Sequence, residues 1–108
     1  MRRGSLYQRK PAFSGFRASL IDLTGEDPGA AAQAHHIFPV KYGPQFAGSG
    51  VDINLPQYGA WWPTASHQAN AAAYNQMWGQ FLATNPGRDE ILDFGRGLAD
   101  RYGLKVGF

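Results

Sequence analysis

Gln33-Ala34-His35-His36-Ile37-Phe38-Pro39 sets two imidazoles side by side in a chain that holds three histidines and no cysteine. Phe38 precedes a proline and is therefore biased away from helix, so His35-His36-Ile37-Phe38 is predicted to be extended, entered through a helical turn over 30–34. Neighbours on a strand point to opposite sides, which suits two different tasks better than joint ligation of one ion. One imidazole free to bind a metal and another free to take a proton are the makings of a hydrolytic site. Without thiolates, any metal must be held by imidazole, carboxylate, amide or water.

Working outward, the third histidine, His67, falls at the start of the longest periodic segment. Pro63-Thr64 opens a helix predicted to run to about Thr84, with Thr64 or Ser66 as its N-cap. His67, Tyr74, Trp78 and Phe81 lie on one stripe at i, i+7, i+11 and i+14, while Gln68, Asn75 and Gln76 fall off it. Between the histidine pair and this helix, 40–50 is expected to be a loop or a one-turn helix. Val51-Asp52-Ile53-Asn54-Leu55-Pro56 and Gly59 to Trp62 look like extended pieces around a turn. The spacing predicts a β-β-α unit converging on the histidines. Upstream, Ser14 to Thr24 reads as an amphipathic helix on Phe16, Leu20 and Leu23, capped by Ser14 and stopped at Gly25. Downstream, Asn85-Pro86-Gly87 stops the long helix, and a last helix over 88–102 carries Ile91, Phe94, Leu98 and Tyr102 on one face. Gly95 and Gly97 weaken that helix and suit close packing. Leu104 to Phe108 is either a terminal strand or a docked tail.

Composition bounds these readings. The 108 residues are 44% apolar, with three Trp, five Tyr and seven Phe, enough for one modest core and too few for two domains. The net charge of +2 is unevenly spread. Arg2, Arg3, Arg9, Lys10 and Arg17 fall in the first 21 residues, which carry no acid; the remaining 87 hold five bases against eight acids. Such an arm can contact phosphates, or be a solvated tail or an added leader at Met1-Arg2-Arg3-Gly4-Ser5. No apolar run approaches the roughly 18 residues of a membrane span, and no signal-peptide core follows the two arginines.

Taken together, Ala34-His35-His36-Ile37-Phe38-Pro39, Val51-Asp52-Ile53-Asn54, His67 and Tyr74-Asn75-Gln76-Met77-Trp78 resemble the AHH-type toxin nucleases of the HNH and endonuclease VII superfamily, especially a myxobacterial toxin group. The likeness covers about residues 14–108, and Tyr102-Gly103-Leu104 adds to it. It implies an α+β fold: a single HNH-like domain over 1–108, with a basic arm at 1–13, a ββα-metal core at 34–83, and a C-terminal helix and tail at 88–108. It implies a metal-dependent endonuclease that hydrolyses the phosphodiester bonds of DNA, or also of RNA. In that family the first histidine of the pair holds one divalent ion and the second is the general base, which here are His35 and His36. His67 would be the second metal ligand, and Asn54 matches the asparagine that braces the hairpin and orients the base.

One position departs from the pattern. Relatives often carry another histidine one turn after the helical one, where this chain has Ala71. Asn70, at i+3 from His67, can offer an amide oxygen instead, ahead of Asp52. Two imidazoles plus waters and phosphate oxygens suit Mg²⁺ or Mn²⁺, and imidazole also admits Zn²⁺ or Ni²⁺. Arg9, Lys10, Arg17 and Lys41 are the candidate contacts to the nucleic-acid backbone, with little sign of base readout. The resemblance further implies a toxic module of a larger protein secreted or delivered from a bacterial cell. It would act in the cytoplasm of the target cell, be blocked by a cognate immunity protein and make no membrane contact. Two plainer readings stand beside this one: a nucleic-acid-binding module without catalysis, and a protein-interaction domain whose histidines are structural. Trp61-Trp62 can stack bases or supply one ring to the core, whereas Tyr74, Trp78 and Phe81 read as core.

Overall fold

A computed structural model describes residues 15–108; the basic arm, with Arg9 and Lys10, and the expected cap Ser14 lie outside the described residues. Those residues form an α+β domain of four α-helices and one two-stranded antiparallel sheet. The order is α1 (Gly15–Thr24), β1 (Ala32–His36), α2 (Gly43–Gly48), β2 (Gly59–Pro63), α3 (Thr64–Leu82) and α4 (Arg88–Arg101), with single 3-10 turns at Gly29–Ala31, Val40–Tyr42 and Pro56–Tyr58.

The ribbon sets the geometry of everything around it. Its register pairs Ala32 with Pro63, Ala34 with Trp61, His35 with Ala60 and His36 with Gly59. Alternation then puts His35, Ala60 and Trp62 on one face and His36, Gly59 and Trp61 on the other. Helix α3 covers the first face and α1 the second. Ile37 and Phe38 follow as a bend rather than as strand, fully buried, with the Ile37 N–H donating to the Tyr58 carbonyl at 3.0 Å.

The expected extended stretch Val51 to Pro56 is a turn. The Asp52 carboxylate accepts the Asn54 N–H at 3.0 Å, and the Asp52 carbonyl accepts the Leu55 N–H at 3.2 Å. This side-chain turn competes with strand pairing and wins, leaving Gly59–Pro63 as the sole partner of β1 among the described residues. Neither Thr64 nor Ser66 caps α3. The Thr64 hydroxyl instead donates to the Ala30 carbonyl at 2.8 Å and accepts from the Gln33 amide at 3.2 Å, tying the helix start to β1.

The core is aromatic. Tyr74 and Trp78 of α3 are fully buried with Phe38, Phe46 and Trp62, and the Tyr74 hydroxyl donates to the Ile37 carbonyl at 2.5 Å. Phe81 continues the stripe at the margin, stacked on Phe94 of α4 at 4.0 Å. On α1 the line meeting the ribbon is Phe16, Leu20 and Thr24, so Leu23, expected on the inner face, is 55% exposed. Helix α4 begins where Glu90 accepts the Gly87 N–H at 2.8 Å. It ends at Arg101 because Gly103, at φ +68°, closes a double turn: its N–H donates to Asp100 and that of Leu104 to Ala99. Gly95 permits the expected close approach, since a Cβ there would lie 2.8 Å from the Phe38 ring; Gly97 faces open space and serves no packing. The C-terminal residues are a docked tail, with Phe108 edge-on to Tyr58 at 5.0 Å. Among the described residues, no helix is long and apolar enough to cross a membrane.

Candidate active site

The end of β1 and the first turns of α3 enclose a cleft of about 300 Å³, walled by Gln33, His35, His36, Lys41, His67, Ala71 and Asn75 among others. All three histidines of the chain meet there.

His35 lies on the α3 side, 8% exposed, with its ring edge-on to Trp62 and Tyr74 at 4.6 Å each. Its Nε2 is enclosed and has no hydrogen-bond partner among the described residues. A buried polar atom left unpaired costs about 1–3 kcal/mol, so a ligand for that nitrogen has something to offset. Burial, reinforced by the nearby His67 and His36 imidazoles, pushes the His35 pKa down to about 3. The ring is therefore neutral at physiological pH, the form in which histidine ligates metals. The His67 ring is 5.5 Å from it, centroid to centroid. Two imidazoles bound tetrahedrally to one ion at about 2.1 Å would have centroids roughly 5.3 Å apart, a spacing close to that of this pair.

His36 faces the other way. Its Nε2 is 3.1 Å from the Asn54 Oδ1, and its ring stacks on Phe16 of α1 at 3.7 Å with 15° between the planes. An amide oxygen only accepts, so with Asn54 in this orientation the proton sits on Nε2 and the lone pair on Nδ1. Partial burial lowers the His36 pKa, and the Asn54 contact opposes that shift. The ring is again neutral at pH 7. Asn54 is fixed in turn by the Asp52 carboxylate.

The remaining candidates divide. Lys41 stands in the cleft wall, its ammonium 5.6 Å from the centre of the Tyr42 ring. Arg17 does not line the cleft: its guanidinium donates to the Ala32 and Gly29 carbonyls at 3.1 and 2.7 Å, pairs with Asp27 and lies over Trp61. Asn70 donates its amide to the Ser66 carbonyl of its own helix at 2.8 Å, outside the cleft wall, and Asp52 is engaged in its turn. Of the tryptophans, Trp62 is core and Trp61 is half-buried, donating to the Thr24 hydroxyl at 3.1 Å. Asn75, expected to point elsewhere, lines the cleft with Ala71. The i, i+4, i+8 line from His67 leads to both. Among the described residues no group of three or more His, Asp or Glu side chains gathers as a metal cage.

No family model matches the chain, and neither a curated protein nor a solved structure does.

Proposed function

We propose that the chain is a metal-dependent endonuclease whose β1, β2 and α3 act as a ββα-metal finger, and that His36 is its general base. The observation that carries this reading is the convergence on one cleft of a neutral His35, a His67 ring 5.5 Å from it, and a His36 whose Nε2 is occupied by Asn54.

In this reading His36 Nδ1 takes a proton from a water as the water oxygen attacks phosphorus. The bond from phosphorus to the leaving ester oxygen breaks, and that oxygen departs with a proton from solvent. Asn54 keeps the imidazole in the tautomer this step needs, and Phe16 limits the rotation of its plane. Lys41 is placed to meet a phosphate of the strand in the cleft. A divalent ion held by His35 and His67, Mg²⁺ or Mn²⁺ ahead of Zn²⁺ or Ni²⁺, would supply Lewis-acid stabilisation of the charge that develops on the phosphate. The substrate is DNA, or RNA as well. The biological setting proposed is the toxic module of a larger bacterial protein, held in check by an immunity protein.

Ala71 favours a second reading, a nucleic-acid-binding module without turnover, because it stands in the cleft wall one turn after His67 and offers no ligand. Plasmid nicking with Mg²⁺, Mn²⁺, Ni²⁺ or Zn²⁺, against EDTA and against His36→Ala, separates the two. Ion-dependent nicking lost in His36→Ala supports the endonuclease; plasmid binding without nicking under every ion supports the module.

A further inference from the structure

Helix α1 lies outside the β-β-α unit, yet its Phe16 ring is the flat surface against which His36 rests, at 3.7 Å and 15°. The strand register explains why that surface comes from a helix. The residue opposite His36 on β2 is Gly59, and on an antiparallel pair the side chain at that position would be the nearest same-face neighbour of the imidazole. Glycine leaves the place empty, and Phe16 fills it. A Cβ at position 59 would come 2.5 Å from Phe16 Cζ and 3.2 Å from the Pro56 carbonyl oxygen. The helix that delivers the ring is fastened to both strands. Arg17 donates to the Ala32 carbonyl at the start of β1 and lies 4.9 Å over Trp61 of β2, whose indole N–H donates to Thr24 at the helix end. His36 is thereby bounded on one face by Phe16 and along its edge by Asn54, leaving Nδ1 as the nitrogen not engaged by Asn54.

We infer that Phe16 is a positioning residue for His36, seated by the absence of a side chain at Gly59, so that α1 completes the reactive unit. This rests on the endonuclease reading for the reaction that His36 performs, although the placement of the ring is independent of it. A flat aromatic face restricts rotation of the imidazole plane in a way that an aliphatic side chain of similar bulk does not. Phe16 should then matter to turnover through its shape more than through its hydrophobicity.

The test reads two quantities on the full chain. In NMR spectra recorded with EDTA, the ring protons of His36 should be shifted upfield by the Phe16 ring current in the wild type and in Phe16→Tyr. They should return toward solvent-exposed values in Phe16→Leu and in Gly59→Ala, which evicts the ring from the opposite strand. On plasmid DNA with Mg²⁺ or Mn²⁺, Phe16→Leu should lower kcat about 10- to 100-fold with KM little changed, and Phe16→Tyr should recover most of it. Metal affinity should be the same in all four proteins. A wild type without the upfield shift overturns the inference, as does a Phe16→Leu protein that loses the shift and keeps full kcat. A wild type that cuts no DNA with any ion removes the nuclease reading, and the ring shift then decides by itself whether Phe16 holds His36.

Discussion

The two faces of the β1–β2 ribbon carry adjacent residues of one kind into opposite surroundings. On the α3 side His35 is sealed among Trp62, Tyr74 and His67, its Nε2 without a partner among the described residues. On the α1 side His36 is half-buried, hydrogen-bonded to Asn54 and stacked on Phe16. The α3 face is built from rings of the core, the α1 face from a helix fastened by Arg17 and Trp61. What differs is the kind of order each histidine receives. His35 is enclosed and fixed by packing, which suits the ligand role proposed for it; His36 is aimed by one hydrogen bond and one ring, which suits the proposed base.

The largest effect expected from this contrast is on turnover. His36→Ala should lower the rate of plasmid cleavage by about 10²- to 10⁴-fold, the usual contribution of a positioned general base, with the far-UV spectrum unchanged. A variant that still cuts at the wild-type rate would move the base elsewhere.

Acid should reveal the dry side next. Unfolded, His35 titrates near its ordinary value of 6.5; folded, it stays neutral down to about 3. Between those values the unfolded chain binds more protons, so stability is fully present above pH 6.5 and falls as the pH drops through this window. This one group contributes up to about 1.4 kcal/mol per pH unit. Urea unfolding in EDTA from pH 7 to 4 should show that slope in the wild type and a shallower one in His35→Gln. Equal slopes would mean that His35 is not sealed.

Smaller still is the anchor of the same face. Tyr74→Phe removes the donor to the buried Ile37 carbonyl and should cost about 1–3 kcal/mol in urea unfolding, a loss near zero being contrary to the account. On the opposite face, Thr24→Val removes the acceptor of the Trp61 indole at a wetter position and should cost only about 0.5–1.5 kcal/mol. A larger penalty at Thr24 than at Tyr74 would reverse the assignment of dry and wet sides.

Much of this arrangement could be read from local signals. Phe38 before Pro39 marked the histidine pair as extended, although the strand is Ala32–His36 and takes up most of the helical turn expected over 30–34. Asn85-Pro86-Gly87 marked the break between α3 and α4, and the aromatic stripe found Tyr74 and Trp78. What escaped depends on contacts between distant parts of the chain or on side-chain turns that imitate other patterns. Val51 to Pro56 alternates like a strand, yet the Asp52 carboxylate closes it into a turn. Leu23 fits a helical stripe, but the line that meets the ribbon runs through Phe16, Leu20 and Thr24 and leaves Leu23 facing outward. Asn75 lies on the i, i+4, i+8 line from His67 rather than on the i, i+7, i+11 line that leads to Tyr74 and Trp78. The placement of Phe16 follows from the pairing of His36 with Gly59, and register is a property of two segments that neither contains alone.

The division of labour between the two histidines is the central claim, and calorimetric titration of the EDTA-stripped protein with Mn²⁺ tests it most directly. His35→Ala should weaken binding by at least about tenfold, the loss expected when an imidazole ligand is removed, whereas His36→Ala should bind as the wild type does. Equal weakening in both variants, or weakening in His36→Ala alone, would contradict the account.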